Sequence, residues 1–341
     1  MKTGVFGLPQ EYIDQCINRL GSEIQSLEGK KITILGGTGF FGSWISSILI
    51  AGINNGLDLN LNILSRNKPA INDLLDFNNS KIKFQNIDLG NSIPKNLLEV
   101  SHIIFSATSS TPFHGNQDTS LIQRTSRSFQ KAIESIASSK GVEAILNLSS
   151  GAVYKKSYKI HYPIEETNTF ETRIVSDYQA AKIEIEKCLI EASSKNPSFK
   201  YSSPRLFAFY GPGLPIDAHF AIGNFIENAF NREAIVVKGD KTTVRSYLHI
   251  ADASTALIKL LLKPNNQPMN LGSTSEISMG DLALKMSKIF SLPNSSDTLA
   301  NKEFSYYVPS VVNLEKYIGK FDFIDFEKGV MDWMDWLKIN A

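Results

Sequence analysis

Short apolar runs alternate along the chain with longer stretches in which apolar residues recur at helical spacing. The apolar start of Lys31–Gly42 predicts the first strand. Further strands are predicted at Leu57–Leu64, Lys81–Asp88, His102–Ala107, Ala144–Leu148 and Tyr201–Phe209. The stretches that predict helices are Ser120–Ala137, Ile174–Ala192, Ile222–Phe230 and Phe326–Ile339. Strands that alternate with helices predict an α/β fold built on a parallel, doubly wound sheet.

The turn after the first strand has the glycine spacing of a phosphate-binding loop. Gly36, Gly39 and Gly42 follow the pattern G-x-x-G-x-x-G, and a helix begins near Phe40. The first glycine permits a sharp turn, the middle one a close approach to a pyrophosphate, and the last one close packing of helix and strand. The helix N-terminus adds N–H donors and a positive dipole. The residues predicted to hold a dinucleotide here are Gly36, Thr38, Gly39, Phe40, Phe41 and Gly42.

The position of the glycine turn divides the chain into three predicted regions. Residues 1–29 precede the first strand, and apolar residues at helical spacing predict a helical extension that packs on the body. Residues 30–205 form the predicted dinucleotide-binding domain, to which later segments return. Residues 206–341 are predicted to form mainly a substrate-binding lobe. Because no linker composition separates the two, we expect them to be interleaved.

Composition narrows the classes of partner. The 341 residues include 35 Lys+Arg and 34 Asp+Glu, so no overall basic field favours nucleic acid. Cys16 and Cys188 lie far apart without metal-type spacing, which argues against a disulfide framework or a zinc site. No apolar run is as long as a membrane span. We therefore expect a cytoplasmic protein with no metal, membrane or nucleic-acid partner.

The end of the second predicted strand bears on the choice of dinucleotide. In a dinucleotide-binding unit this place meets the adenosine ribose, where an acidic residue selects NAD. Here Ser65 and Arg66 occupy it, and Lys68 follows. A guanidinium can pair with a 2′-phosphate, so the segment predicts NADP, with NAD less favoured. A solvated basic loop is the alternative interpretation.

Two further strand ends supply candidate cofactor contacts. Asp88 and Leu89 follow the third strand, where a side chain can reach an adenine, although a structural turn explains the aspartate equally simply. Ala107 and Thr108 follow the fourth strand, and their small side chains let a cofactor lie flat across it.

A tyrosine and a lysine carry the candidate chemistry. Tyr178 and Lys182 are four residues apart on a predicted helix and share one face. An ammonium beside the phenol is expected to lower its pKa toward the range of a useful base. The hydroxyl of Ser150, after the fifth strand, is expected to orient a substrate alcohol or carbonyl. On its own, a tyrosine four residues before a lysine is interpreted as an ordinary pair on a helix surface. The preceding glycine turn favours the catalytic interpretation.

Several motifs together carry a family resemblance. They are GGTGFFG at 36–42, Ser149–Tyr154, Tyr178–Lys182, Pro204–Phe207 with Tyr210–Gly213, Arg245–Asp252 and Asn270–Ser273. From Lys30 onward the chain resembles the extended short-chain dehydrogenase/reductases, the NAD(P)-dependent epimerase/dehydratase family that acts on nucleotide-sugars. The resemblance implies a Rossmann-type sheet with a smaller C-terminal substrate-binding lobe.

The resemblance also implies partners and further site residues. A nucleotide-diphosphate sugar is the expected substrate, and Phe207 is expected to lie beside the nicotinamide. The implied substrate contacts are Ser109, Ser150, Gly151, Tyr178, Asn224 and Arg245. His219 would lie near the same cleft, with a surface position as the alternative. A homodimer through the helices at 120–137 and 174–192 is expected, unless their apolar faces are buried within one chain.

In the mechanism that the resemblance implies, Tyr178 removes a hydroxyl proton and a 4-keto sugar forms. Gly151 and Ala152 occupy the positions at which the related 4,6-dehydratases carry an Asp-Glu pair. The related decarboxylases carry a glutamate at the second of these positions, here Ala152. Elimination and decarboxylation by those routes are therefore disfavoured, and an epimerase or a 4-ketoreductase is favoured. A dehydratase that uses another acid is the enzymatic alternative. A non-catalytic NADP-binding sensor or scaffold is the alternative from a different class.

Overall fold

The computed structural model describes residues 3–66, 79–107, 119–138, 141–154, 162–167, 176–216, 220–297, 304–320 and 322–340. Its α-helices are α1 (Gln10–Leu20), α2 (Phe40–Asn54), α3 (Thr119–Ala137), α4 (Asp177–Lys195), α5 (Ala221–Phe230), α6 (Ile250–Leu262), α7 (Met279–Phe290), α8 (Val312–Ile318) and α9 (Phe326–Asn340). The first strands are β1 (Lys30–Leu35), β2 (Leu59–Ser65), β3 (Ile82–Asn86), β4 (His102–Phe105), β5 (Ala144–Asn147), β6 (Ser149–Ser150), β7 (Tyr201–Leu206) and β8 (Phe209–Tyr210). The later strands are β9 (Ile235–Lys238), β10 (Val244–Ser246), β11 (Leu248–His249), β12 (Pro268–Leu271), β13 (Glu276–Ser278), β14 (Asn294–Asp297) and β15 (Tyr306–Tyr307).

The main sheet is parallel throughout, in the order β3-β2-β1-β4-β5-β7-β12, with β6 paired to β7. The order reverses between β1 and β4, where Leu35 lies opposite Phe105. A doubly wound sheet opens a crevice at such a reversal, beyond the carboxyl ends of the strands. The predicted Rossmann-type α/β fold is confirmed.

The central strands are apolar because helices cover both faces of the sheet. Every residue of β4 and β5 is buried, as expected for parallel strands packed on both sides. Apolar side chains of α1, α2 and α6 fill one face. Those of α3 and α4, such as Phe129 and Leu189, fill the other. The apolar stripes of α3 and α4 therefore pack onto the sheet of their own chain.

Residues 206–341 contribute both to the main sheet and to a smaller body. In the main sheet, β12 pairs with β7, and α6 lies on α2. The smaller body gathers α5, α7 and α9 around buried residues that include Phe225 and Trp333. Next to it, β10 pairs with β13 and β15. The boundary at residue 205 remains a prediction.

The N-terminal extension packs on the sheet layer. Helix α1 contacts α2 and α6, and its side chains Tyr12, Ile13, Cys16 and Leu20 are buried. The Trp336 indole of α9 donates to the Gly7 carbonyl at 2.6 Å. In the described part of the chain, no helix combines the length and the apolar character needed to cross a bilayer.

Two of the shifted element boundaries have a physical reason in the structure. Helix α4 begins at Asp177 because the Ser176 hydroxyl caps it, accepting from the Gln179 N–H at 3.2 Å. The strand predicted to reach Phe209 ends at Leu206, and Phe209 starts the separate β8 that pairs with β11. The spacing of apolar residues reveals neither the hydroxyl cap nor the change of strand partner.

Candidate active site

The glycine turn between β1 and α2 is shaped by close backbone contacts. Gly36 has φ +86°, and a β-carbon there would lie 2.7 Å from the Ala107 Cα. At Gly42 a β-carbon would lie 2.1 Å from the Gly36 carbonyl oxygen. Gly39 precedes α2 without a side-chain cap. The N–H groups of the first turn therefore face the crevice end of the sheet, an arrangement that suits a pyrophosphate.

The same turn is fastened to the end of β2. The N–H groups of Gly36 and Gly37 donate to the Leu64 carbonyl at 2.9 and 3.1 Å. The Thr38 and Ser65 hydroxyls are hydrogen-bonded to each other. Arg66 follows directly and is exposed. The structure thus brings the predicted phosphate and ribose positions side by side and leaves the Arg66 guanidinium in solvent.

The two phenylalanines of the turn make packing contacts. The Phe41 ring meets the Phe209 ring edge-on at 5.0 Å, and the Phe40 ring lies 5.3 Å from that of Phe41. Next along α2, the Trp44 indole donates to the Pro212 carbonyl at 2.8 Å. These aromatic side chains are part of the packing between α2 and its neighbours, and the predicted dinucleotide contacts of Phe40 and Phe41 remain predictions.

The other predicted cofactor contacts lie at the same edge of the sheet. The Asp88 carboxylate accepts from the Gly90 N–H at 2.9 Å and lies 3.8 Å from the Arg124 guanidinium, so it forms a turn. Leu89 is buried among the residues beneath α3. Ala107 lies against Gly36. The predicted sites at Thr108, Ser109 and His219 lie outside the described residues.

Ser150, Tyr178 and Lys182 meet at the carboxyl end of β6. The Ser150 side chain is near enough to the Tyr178 phenol to lower its pKa, and the Ala152 N–H donates to the Ser150 Oγ at 3.1 Å. The Lys182 Nζ lies 5.4 Å from the centre of the Tyr178 ring and donates to the Leu148 carbonyl at 2.5 Å. Helical spacing on α4 and the β6–β7 pairing together build the predicted group.

The electrostatics of the pair differ from the expectation. Tyr178 is half-buried. Burial raises its pKa, and the nearby Ser150 side chain opposes the rise. Burial also lowers the pKa of Lys182 to about 7, against a smaller opposing effect of Glu186. The Tyr178 pKa is thus raised in this structure, and the expectation that an ammonium lowers it is wrong. A lysine with such a pKa is only partly charged near neutral pH, so it stabilises a phenolate weakly.

This burial predicts a pH-dependent gain in stability for Lys182→Met. Between pH 7 and the ordinary lysine pKa the unfolded chain holds more protons than the folded chain, because the folded pKa is about 7. The contribution of Lys182 to the stability of the wild type therefore rises with pH across that window. The variant lacks this contribution, because methionine does not titrate. We expect the variant to unfold at higher denaturant concentration at about pH 6, with a smaller gain at about pH 9.

Denaturant titrations at both pH values measure the difference. Lys187→Met is the matched control, since Lys187 is exposed on the same helix. A stability difference that is the same at both pH values would contradict the lowered pKa.

A buried ion pair lies one helical turn beyond Lys182. The Arg205 guanidinium of β7 contacts the Glu186 carboxylate at 2.8 Å, and both side chains are almost completely buried. Ser149 also donates to Glu186, and Arg205 donates to the Tyr154 hydroxyl at 2.9 Å. From the sequence, Arg205 belonged to the segment expected to cross the nicotinamide. The structure instead places its side chain in this network behind the candidate active site.

Tyr307 is a site residue that sequence reasoning missed. On β15 it lies opposite Arg245 of β10, and the Arg245 guanidinium lies 5.6 Å from its ring centre. Its ring packs on the Phe207 ring at 4.5 Å, its hydroxyl donates to the Leu206 carbonyl at 3.4 Å, and Ser150 is near enough to influence its pKa. Arg245 itself donates to the Ser305 carbonyl at 3.0 Å. No local motif marks Tyr307, because only the lobe strand brings it to Ser150.

Asn224 occupies a different neighbourhood. It lies half-buried on α5, a helix that packs against α7, β9 and α9. The described contacts of the Ser150 group come from β6, α4, Phe207 and β15. A substrate contact from Asn224 therefore remains a prediction.

The residues present fit a dinucleotide. Gly36 and Gly42 allow the turn to close against the backbone of Ala107 and of Gly37, and the N–H donors at the start of α2 suit phosphates. The Ser150 group lies at the same carboxyl edge of the sheet, where a nicotinamide would meet it. Among the described residues, no group of three or more His, Cys, Asp or Glu could hold a metal ion.

Comparison with known proteins identifies the family. The family model described as the NAD dependent epimerase/dehydratase family matches residues 32–272. The chain belongs to this family. The match covers the glycine turn, the Ser150 group and Arg245, which the structure places at one end of the sheet.

Individual relatives of this epimerase/dehydratase family member differ in reaction. UDP-glucuronic acid decarboxylase 4 of Arabidopsis thaliana is 26% identical over 256 residues, 74% of this chain and 56% of the relative. The chain thus spans little more than half the length of that protein.

Solved structures share the fold at low identity. A UDP-N-acetylglucosamine 4-epimerase from Methanobrevibacter ruminantium M1 has a TM-score of 0.76 at 19% identity, over 92% of this chain and 100% of that one. A UDP-glucuronic acid 4-epimerase from Bacillus cereus, solved with UDP-glucuronic acid and NAD, has a TM-score of 0.74 at 17% identity. The match covers 91% of this chain and 100% of that one.

Proposed function

We propose that this family member forms or reduces a 4-keto nucleotide-sugar, as an epimerase or a 4-ketoreductase. The observation that carries the proposal is the grouping of Ser150, Tyr178 and Lys182 at the crevice end of the sheet, where Ser150 is near enough to influence the Tyr178 phenol and the Lys182 Nζ lies 5.4 Å from the centre of its ring. A hydroxyl pair of this kind can exchange a proton with a sugar hydroxyl. The carboxyl edge of a doubly wound sheet is where such a fold binds its ligand.

Each residue has a separate task in the proposed reaction. Tyr178 accepts the proton of the sugar hydroxyl and returns it when the ketone is reduced. Ser150 holds the reacting oxygen through its hydroxyl, and Lys182 binds the nicotinamide ribose and stabilises the phenolate when protonated. Arg245, at the edge of the lobe, binds the diphosphate. The bound nicotinamide supplies hydride acceptance and donation.

A decarboxylase is the competing candidate, since several relatives are named UDP-glucuronic acid decarboxylases. Two residues weigh against it: Gly151 and Ala152 offer no carboxylate at the places where the resemblance implies acids. The space beside Gly151 is already filled, because a β-carbon there would lie 2.5 Å from the Tyr307 hydroxyl oxygen. The same observation weighs against an acid-driven dehydratase.

The cofactor is proposed to be a nicotinamide dinucleotide. Solved structures of the same fold contain NAD, which supports NAD as the default. The exposed Arg66 after β2 supports the sequence-based preference for NADP. The solved structures thus favour NAD and Arg66 favours NADP, and a substitution at Arg66 tests which of the two cofactors is preferred.

We expect Arg66→Ala to weaken NADP about tenfold while leaving NAD almost unchanged, if the guanidinium pairs with a 2′-phosphate. Calorimetric dissociation constants for both dinucleotides measure this. Arg127→Ala is the control, because Arg127 is exposed on α3. An equal response of NAD and NADP would leave the solvated-loop interpretation and favour NAD.

The proposed reaction is tested with a panel of UDP- and dTDP-sugars and their 4-keto derivatives. NAD(P)H absorbance and product mass are followed together. An isomer of unchanged mass without net reduction indicates an epimerase, and consumption of NAD(P)H with a 4-keto sugar indicates a reductase. Loss of carbon dioxide or of water would replace the proposal with a decarboxylase or a dehydratase. Cofactor binding without turnover of any sugar would favour the non-catalytic alternative. The homodimer and the cytoplasmic location remain predictions.

A further inference from the structure

The turn that follows Ser150 is fastened to helix α4 by a glutamine. The Gln179 Nε2 donates to the Ala152 carbonyl at 2.8 Å. Gln179 is the residue after Tyr178 on α4, and it is almost completely buried. A hydrogen bond from a buried amide matters because the donor would be costly to leave unsatisfied there. The contact therefore joins the helix that carries Tyr178 to the segment that carries Ser150.

Both main-chain groups of Ala152 take part in this connection. Its N–H donates to the Ser150 Oγ at 3.1 Å, and its carbonyl accepts from Gln179. Gly151–Val153 form a short 3₁₀ turn for which Ser150 is the N-cap. A serine that caps such a turn has its hydroxyl oxygen held by the N–H that it accepts from. A shift of the Ala152 peptide would therefore move the Ser150 hydroxyl.

Helix α4 holds the chain on both sides of Ser150. The Lys182 Nζ donates to the Leu148 carbonyl at 2.5 Å, two residues before Ser150. Gln179 reaches the carbonyl two residues after it. The two donors are three residues apart on α4 and so lie on one face of the helix. Ser150 is thus located between two points of attachment to the same helix.

The two attachments differ in chemistry. Lys182 carries an ionisable ammonium and is also proposed to bind the nicotinamide ribose. The carboxamide of Gln179 has donors and an acceptor but no proton that titrates near neutral pH. Its contribution is therefore to geometry and not to acid–base chemistry.

We propose that Gln179 is a positioning residue: it holds the Ala152 peptide, and through that peptide the Ser150 hydroxyl, in a fixed place relative to Tyr178. The inference rests on the proposed function, in which Ser150 holds the reacting oxygen and Tyr178 accepts its proton. Gln179 contacts neither the sugar nor the dinucleotide in this arrangement. Its effect on the rate arises because a displacement of about 1 Å in a catalytic group can cost about 10²-fold.

The test is Gln179→Met, which keeps the length of the side chain and removes its donor. We expect kcat to fall about tenfold, with KM for the nucleotide-sugar and the affinity for the cofactor almost unchanged. Gln123→Met is the matched control, because the exposed Gln123 amide donates at 2.7 Å to Asp177, also on α4. That variant keeps the Gln179 bond, so its kcat should match the wild type.

A double-mutant cycle with Ser150→Ala separates positioning from a general structural role. If Gln179 acts through the Ser150 hydroxyl, adding Gln179→Met to Ser150→Ala lowers kcat little further. Losses that multiply across the two substitutions would overturn the positioning role and leave the proposed function intact, as would an unchanged kcat in Gln179→Met. Should Gln179→Met fail to fold, Gln179→Asn replaces it in the cycle, since its amide is one methylene too short for the same bond.

A second measurement needs no turnover. Hydrogen exchange of the Ala152 N–H reports the bond that this group makes to Ser150. We expect exchange about tenfold faster in Gln179→Met and unchanged in Gln123→Met. Equal exchange in Gln179→Met and the wild type would overturn the inference. If the wild type turns over no sugar, the proposed function fails, and the exchange rates alone then decide whether Gln179 holds Ser150 in place.

Discussion

Tyr178→Phe is expected to lower turnover by about 10²–10⁴-fold, the range that a positioned acid–base group contributes. The substitution removes the phenol oxygen beside Ser150 and keeps the ring against which Lys182 packs. Cofactor affinity should therefore change little. The loss should appear in kcat, because the proton is transferred in the transition state.

The measurement is a steady-state assay on whichever nucleotide-sugar the panel identifies, with cofactor binding measured on the same preparation. Tyr317→Phe serves as the control, since Tyr317 lies exposed on α8 and its hydroxyl donates to the Pro264 carbonyl at 3.4 Å. Normal turnover by Tyr178→Phe would remove the basis of the proposed mechanism. Joint loss of turnover and cofactor binding would instead indicate a damaged fold.

Arg205→Met is expected to lower the free energy of unfolding by about 3–5 kcal/mol, the cost of leaving one member of a buried pair uncompensated. The Glu186 carboxylate is completely buried and receives the Arg205 guanidinium at 2.8 Å. Without that partner, its remaining described donor is the Ser149 hydroxyl. The Tyr154 hydroxyl also loses its contact with Arg205.

The double variant Glu186→Leu with Arg205→Met should regain most of this loss, because it removes both charges. The recovery should be incomplete, since Ser149 then lacks its acceptor. Urea denaturation of the single and double variants measures the coupling. Lys195→Met, which removes one member of the exposed Lys195–Glu191 pair, should change stability little. Additive losses in the double variant would contradict the pairing.

The pair also connects stability with the candidate chemistry. Glu186 lies one turn from Lys182 on α4 and opposes the lowering of the Lys182 pKa. Removing Glu186 should thus lower that pKa further and leave less ammonium near neutral pH. The buried network behind the site therefore influences the charge of the residue that is proposed to bind the ribose.

Much of the fold was predictable because its signals are local. The strand–helix alternation and the G-x-x-G-x-x-G turn depend on neighbouring residues, and the parallel sheet follows from them. The pairing of Tyr178 with Lys182 also follows from helical spacing alone. The end of β7 was less predictable, since Leu206 passes to a different strand partner than Phe209 does.

The sequence by itself determined the parallel sheet, the glycine turn and the Tyr178–Lys182 spacing on one helix, because neighbouring residues encode them. Only the tertiary structure decided that Arg205 pairs with Glu186 behind the site. It also placed the Tyr307 hydroxyl in the space that Gly151 leaves open. Contacts between residues far apart in the chain depend on how strands and lobe pack. Burial, which sets the pKa values of Tyr178 and Lys182, exists only once that packing is complete.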